Sequence, residues 1–301
     1  MELLQLRYFL TAAKYEHMTK AAAELNISQP ALSKMIGRLE DELGAPLFHR
    51  QGKQIYLNEF GKAFQERVKR IFLEINEGIL QVQELNSPEK GIISIAMTLP
   101  HIMAKFLGDF LKDHPQVKIK HKQASISEMK YLLENAEVDL CISTSPIIGD
   151  YIEWVPLREE EIFLSIPADH RLAKHKTIDL REVSNERFIN LPKGYGFRDI
   201  TDKFCKEVGF TPNVAIEVEE SWAIQQLVEL GHGISFIPNL SILRNPTTNT
   251  ARIKISHPTG CKRVIGISWN KNHYLSKSAI NFREFCIDFF KHKVKDYYYL
   301  D

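Results

Sequence analysis

SQPALSKMIGRLEDELGAPLF, residues 28–48, decides how the first part of the chain is read. Ser28 is a good helix N-cap, and Pro30 falls in the first turn, where a missing amide hydrogen costs little. Gly44 and Pro46 stop the helix. Ala31, Leu32, Met35, Ile36, Leu39 and Leu43 recur at helical spacing and are expected on its buried side. Gln29, Ser33, Lys34, Gly37 and Arg38 lie on or beside the opposite face. Glutamine can bond an adenine edge with two hydrogen bonds, Lys or Arg can reach guanine or phosphate, and serine is a short adaptable contact, so the face suits a major groove.

Upstream, Leu3, Leu6, Phe9, Leu10 and Ala13 describe an amphipathic helix. A second helix is expected to start at Thr19 as N-cap and run through Ala21-Ala22-Ala23 to Leu25, with Asn26 and Ile27 forming the turn into the third. Downstream, Leu47–Arg50 and Gln54–Leu57 flank Gln51-Gly52-Lys53, a hairpin whose basic tip would meet phosphate and position the domain. Residues 1–58 thus read as a winged helix-turn-helix. From Asn58 the chain reads helical to about Leu85, with Phe60, Phe64, Val68, Ile71, Ile75, Ile79, Val82 and Leu85 along one seam. Such a seam needs a partner, either a second copy or the same chain. Residues 59–88 are read as a linker and dimerisation helix, ended by Asn86-Ser87-Pro88.

The segment LRYFLTAAKYEHMTKAAAELNISQPALSKMIGRLEDELGAPLFHRQGK resembles the N-terminal signature of LysR-type transcription regulators along its whole length, most densely over residues 28–48. The resemblance implies that Gln29, Pro30, Ser33, Lys34, Arg38 and the wing residues Arg50 and Lys53 contact double-stranded DNA. It also implies a homodimer through the linker helix, a homotetramer of two such dimers, a pseudo-palindromic operator, and RNA polymerase as a further partner. Lys20 and Lys34 stand where the family often has Arg, and Asn58-Glu59-Phe60-Gly61 replaces its common Thr-x-Ala-Gly. These departures bear on the operator more than on the fold.

Residues 89–301 alternate strand and helix patterns, which implies an α/β fold with a parallel sheet. Strands are expected at 91–97, 117–123, 138–142, 161–166, 188–191, 214–218, 235–237 and 264–269, with a closing helix at 276–291. Two sheet units would leave a cleft beyond the strands' carboxyl ends. The resemblance implies two subdomains like those of periplasmic solute-binding proteins. Subdomain I would be about 89–165 and 268–301, subdomain II about 166–267, with crossings near Ile166 and Ile267. Thr98, Leu99, Ser125, Ser127, Gly196, Phe197, Arg198 and Ser221 are the candidate effector contacts at strand-end loops. Hydroxyls and helix N-termini are ready anion sites, so a carboxylate or similar anion is the expected effector. Arg198 could clamp a carboxylate or form an ion pair with Asp199 or Asp202, and helix capping alone accounts for Thr98, Ser125 and Ser221. By the resemblance, Thr98, Ser125 and Phe197 match pocket-lining positions, and Arg198 is adjacent to one.

The 301 residues carry a formal charge of +1, and residues 1–90 hold twelve Lys and Arg against twelve Asp and Glu, so DNA binding requires the basic groups to be sorted onto one face. Cys141, Cys205, Cys261 and Cys286 are scattered without a C-x-x-C pair, and the eleven His show no ligand spacing, so reduced thiols and no metal or cofactor are expected. Absent G-x-S-x-G, P-loop and G-x-G-x-x-G patterns speak against catalysis. The N-terminus lacks the unbroken apolar core of a signal peptide and no stretch approaches 18 apolar residues, so the expectation is a cytoplasmic protein off the membrane. The function expected is effector-controlled, sequence-specific transcription regulation. The alternative is an architectural DNA-binding protein that needs no ligand, which the roughly two hundred residues around a cleft argue against.

Overall fold

α1 (Leu3–Tyr15) opens with a capping box between Glu2 and Gln5, and α3 (Gln29–Leu43) opens with Ser28 Oγ accepting from the Ala31 amide at 3.3 Å and closes at left-handed Gly44. The structure is a computed structural model that describes residues 1–51, 54–86, 91–98, 100–241 and 249–293. It divides into two compact units, Met1–Gln81 and Val82–Asp301.

In the first unit α2 (Met18–Glu24) starts two residues earlier than Thr19 as N-cap would have it. His17 is extended and its carbonyl already accepts from the Ala21 amide at 3.0 Å, so Thr19 lies inside the helix. The turn into α3 passes through Asn26 in the left-handed region. Leu6, Phe9, Ala21, Ala22, Leu32, Ile36 and Leu39 form one core, while Ala31 and Leu43, expected inside, are exposed and Met35 is half-buried. β1 (Phe48–Gln51) and β2 (Gln54–Leu57) pair antiparallel, with Arg50 opposite Ile55, and Glu40 accepts from the Leu47 amide at 2.7 Å to hold the hairpin to α3. Lys53 lies outside the described residues.

α4 (Glu59–Asn86) is capped by buried Asn58, whose Oδ1 accepts from the Gly61 amide at 2.8 Å and whose Nδ2 donates to the Pro46 carbonyl at 2.7 Å. A side chain at Gly61 would strike the Leu47 carbonyl, so this first turn can sit on the wing only as glycine. The expected seam divides. Val68, with Phe64 and Phe72 beside it, turns into the unit's own core, whereas Phe60, Ile71, Ile79, Val82 and Leu85 remain exposed.

The second unit begins with β3 (Ile92–Met97), α5 (Pro100–Asp113), β4 (Lys118–Lys122), α6 (Ile126–Glu134) and β5 (Leu140–Ser143). β3 lies between β4 and β5, parallel to both. Asp139 Oδ2 accepts from the Ser94 amide at 2.6 Å while the Asp139 amide donates back to Ser94. Burial raises this carboxyl from 3.8 to about 6, against the smaller lowering by the Ser94 amide. The folded protein therefore binds the proton more tightly than the unfolded chain, and stability falls as pH rises from about 4 to about 6. Asp139→Asn, which keeps an acceptor for Ser94, is expected to stabilise the protein by up to about 3 kcal/mol at pH 8, with the gain vanishing by about pH 4 in urea titrations.

β6 (Ile152–Pro167) is the strand on which the two halves of this unit meet. After it come β7 (Thr177–Asp179), β8 (Arg187–Asn190), α7 (Gly196–Glu207), β9 (Asn213–Glu217), α8 (Ser221–Glu229), β10 (Ser235–Pro238), β11 (Thr250–Ser256), β12 (Lys262–Asn270) and α9 (Lys277–Asp288). Residues 152–161 of β6 pair with β12, and residues 162–167 pair with β10 and β11, all antiparallel. The sheet is thus mixed rather than wholly parallel. The chain changes sides between Glu161 and Ile162 and returns at Cys261–Lys262, earlier than Ile166 and Ile267. The cores give the reason: Leu157, Ile265 and Ile267 pack with Phe106 and Phe282, whereas Ile162 through Cys261 supply the second cluster around Leu164, Phe188 and Phe236. Among the described residues no helix is long and apolar enough to cross a membrane.

Candidate functional site

On α3, Gln29, Pro30, Lys34 and Arg38 are exposed and Ser33 is half-buried. Helical spacing lines up Gln29, Ser33 and Gly37 in one stripe and Pro30, Lys34 and Arg38 in the next, opposite the buried Leu32, Ile36 and Leu39. Arg50 stands exposed on β1. Among the described residues Lys34, Arg38 and Arg50 enter no ion pair, although Lys62, Lys69 and the N-terminal amine of the same unit all do. Unpaired guanidinium and ammonium groups beside a glutamine can take phosphates and base edges without first giving up a protein partner.

In the second unit the start of α7 lies against the start of α6 and the end of β5. A side-chain carbon at Gly196 would sit 3.3 Å from Ile126 and 3.6 Å from the hydroxyls of both Thr144 and Ser145. Ser125 caps α6 by accepting from the Glu128 amide at 3.3 Å, and its Oγ lies 3.2 Å from that of exposed Ser127. Thr98 follows β3 with its amide bonded to Ile142, and its buried hydroxyl has no hydrogen-bond partner among the described residues. The fold thus brings Ser125, Ser127 and Gly196 together, as the strand-end rule expects. Leu99 lies outside the described residues. Ser221 is half-buried at the first position of α8, where Glu220 and not Ser221 is the N-cap.

Two expected contacts have partners within the protein itself. Arg198 is 5% exposed, donating from Nε to Asp202 at 2.7 Å and from Nη1 to the Leu191 carbonyl at 2.8 Å and Glu217 at 3.2 Å. Asp202 is the i+4 partner that helix geometry favours, and Glu217 on β9 completes the cage, so the guanidinium is committed within its own subdomain. Phe197 packs on the second core with the Arg263 guanidinium 5.0 Å from its ring centre. That arginine leads to the crossing strands. Arg263 Nε donates to Glu160 directly across the β6–β12 ladder, the pair is 3% and 1% exposed, and Glu160 also accepts from the Leu240 amide at 2.9 Å.

The electrostatics at the mouth of α7 are acidic. Burial raises the Tyr195 hydroxyl above its ordinary range, and the carboxylates of Glu219, Glu128 and Glu220 push it further in the same direction. Among the described residues no group of three or more His, Cys, Asp or Glu could hold a metal ion. Sequence reasoning missed Thr144, Asn190 and the Glu160–Arg263 pair. Thr144 follows the strand expected at 138–142 and Asn190 is the last residue but one of the strand expected at 188–191, so the rule that nominated Thr98 could have found both.

The family described as "Bacterial regulatory helix-turn-helix protein, lysR family" matches residues 3–62, and "LysR substrate binding domain" matches residues 86–291. The uncharacterized HTH-type transcriptional regulator YybE of Bacillus subtilis (strain 168) is 39% identical over 293 residues, covering 96% of this chain and 99% of its own. The transcriptional dual regulator GltC of the same strain is 33% identical over 302 residues, covering 99% and 100%. Among solved structures, CbnR, a LysR family transcriptional regulator, superposes with a TM-score of 0.66 at 23% identity over 95% of this chain and 98% of that one. The effector binding domain of QuiR in complex with shikimate gives 0.60 at 26% identity over 67% and 98%.

Proposed function

The chain belongs to the LysR family of DNA-binding transcription regulators with an effector-binding domain, and from that premise we propose how its two surfaces work together. The α3 face, Gln29, Pro30, Ser33, Lys34 and Arg38 with the wing residues Arg50 and Lys53, reads a pseudo-palindromic operator in the cytoplasm. A homodimer formed along α4, doubled into a tetramer, presents two or more such faces at once. A small effector in the C-terminal cleft changes how they hold the DNA.

The observation that carries the effector reading is the meeting of Gly196 with Ile126, Thr144 and Ser145, which gathers hydroxyl donors and a helix start in one place. With Arg198 committed elsewhere and Glu128, Glu219 and Glu220 at the rim, a multiply charged anion would be repelled. Neutral donors suit a monocarboxylate that also carries hydroxyls. Shikimate, the ligand in the QuiR structure, is of that class. An effector acts here only by binding two arrangements of the regulator with different affinity.

The test is a footprint of the purified protein on DNA upstream of its own gene, with and without shikimate and other small carboxylates. A bounded palindromic footprint that shortens or shifts with one compound supports the whole reading. An unbounded, sequence-independent footprint would sink it in favour of an architectural protein. Gln29→Ala and Ser33→Ala are each expected to cost roughly 1–3 kcal/mol at the operator and little on random DNA, whereas Arg50→Ala should weaken both alike in binding titrations.

A further inference from the structure

Residues 46–48 join α3 to the wing, and two helices grip them. From α3, Glu40 Oε1 accepts from the Leu47 amide at 2.7 Å and from the Phe48 amide at 3.3 Å. From the start of α4, the Asn58 amide donates to the Leu47 carbonyl at 3.0 Å and Asn58 Nδ2 donates to the Pro46 carbonyl at 2.7 Å. The joint thus gives its amides to one helix and its carbonyls to the other. Capping α4 asks less of Asn58 than this. A cap needs a side-chain oxygen for the Gly61 amide, here at 2.8 Å, and a main-chain carbonyl for the Lys62 amide, here at 2.9 Å. Serine would serve as well there, so the carboxamide nitrogen is what asparagine adds. Nor does burial demand the bond to Pro46, since that residue is exposed and water could serve its carbonyl instead.

Building on the wing assignment above, we propose that Asn58 is a positioning residue for DNA binding: its carboxamide ties the first turn of α4 to the joint and so holds Arg50, two residues beyond Phe48 on β1, within reach of phosphate beside the α3 face. Gly61 tightens the same grip, because only a bare Cα lets this turn approach the Leu47 carbonyl so closely. A change in how two α4 helices pack therefore reaches the wing directly, without passing through α3.

Binding of the full-length protein to a random-sequence DNA duplex, titrated over a range of salt concentrations, tests this. Arg50→Ala is expected to weaken binding about fivefold at roughly 0.15 M salt and to flatten the slope of log affinity against log salt by about 1, the mark of one lost phosphate contact. Asn58→Ser keeps the cap and removes the donor. It should weaken binding at least about twofold and flatten the slope by about half as much or more, while melting within about 5 °C of the wild type. The double variant should bind like Arg50→Ala alone, because both changes remove the same contact. A protein that was merely less stable would have fewer active molecules at every salt concentration, which lowers the line without tilting it. A wild-type slope for Asn58→Ser would overturn the proposal, even where Arg50→Ala upheld the wing. Additive losses in the double variant, or a melting drop well beyond about 5 °C, would overturn it too, since Asn58 would then act on the whole domain. Unchanged binding by Arg50→Ala would bring down the wing reading and this proposal with it.

Discussion

Glu160→Ala is expected to destabilise the C-terminal unit by about 3–5 kcal/mol, the cost of leaving a buried charge without its counter-ion. Arg263 cannot recover hydration, since it is 3% exposed, packed on Phe197 and held in the β12 ladder. Burial already pushes its guanidinium below the ordinary range, and Glu160 offsets that push. Arg158, on the same strand, is also lowered by burial and leans on Glu160, so one carboxylate balances two cations. The Leu240 amide would lose its acceptor as well. Replacing both partners, as Glu160→Leu with Arg263→Leu, removes the charges together and should cost far less or nothing in urea unfolding. Two equally damaging variants would show that shape, rather than charge balance, governs this crossing.

Ile71→Asp is expected to halve the sedimenting mass of the protein. In α4 the residues Phe64, Val68 and Phe72 are taken up by the unit's own core, while Ile71 and Ile79 remain 38% and 50% exposed on an otherwise charged helix. A helix of 28 residues does not leave such a stripe in water without a use for it, and in the proposed dimer a second copy of α4 supplies the matching surface. Burying an aspartate there costs several kcal/mol, more than a rim substitution could. A sedimenting mass equal to that of the wild type would show that the stripe packs elsewhere.

What could be read from the residues alone follows how local each signal is. The helix-turn-helix was legible because Ser28, Pro30, Gly44 and a 3.6-residue period speak within one helix. Its second helix was mistimed, because His17 caps through the backbone with no side-chain bond to advertise it. The strands of the C-terminal unit were legible where they are largely buried, as at 93–97 and 140–143. The first nine residues of β6 were missed, since Glu159 reads as loop until Lys262 is seen paired with it across the sheet. Arg198 shows the limit for a site: Asp202 is visible as an i+4 neighbour, but Glu217 and the Leu191 carbonyl arrive only with the tertiary fold.

The four cysteines turn burial into a clock. Burial pushes the thiols of Cys205 and Cys261 up to about 12 and those of Cys141 and Cys286 well above the ordinary range, so almost no thiolate exists in the folded chain at neutral pH. An alkylating reagent must therefore wait for the surrounding structure to open. Cys286 sits in the first core, Cys205 and Cys261 in the second, and Cys141 in the layer beneath α6. The natural sequence thus holds separate chemical timers for three parts of the effector domain, and their labelling rates report which part breathes first when the regulator changes state.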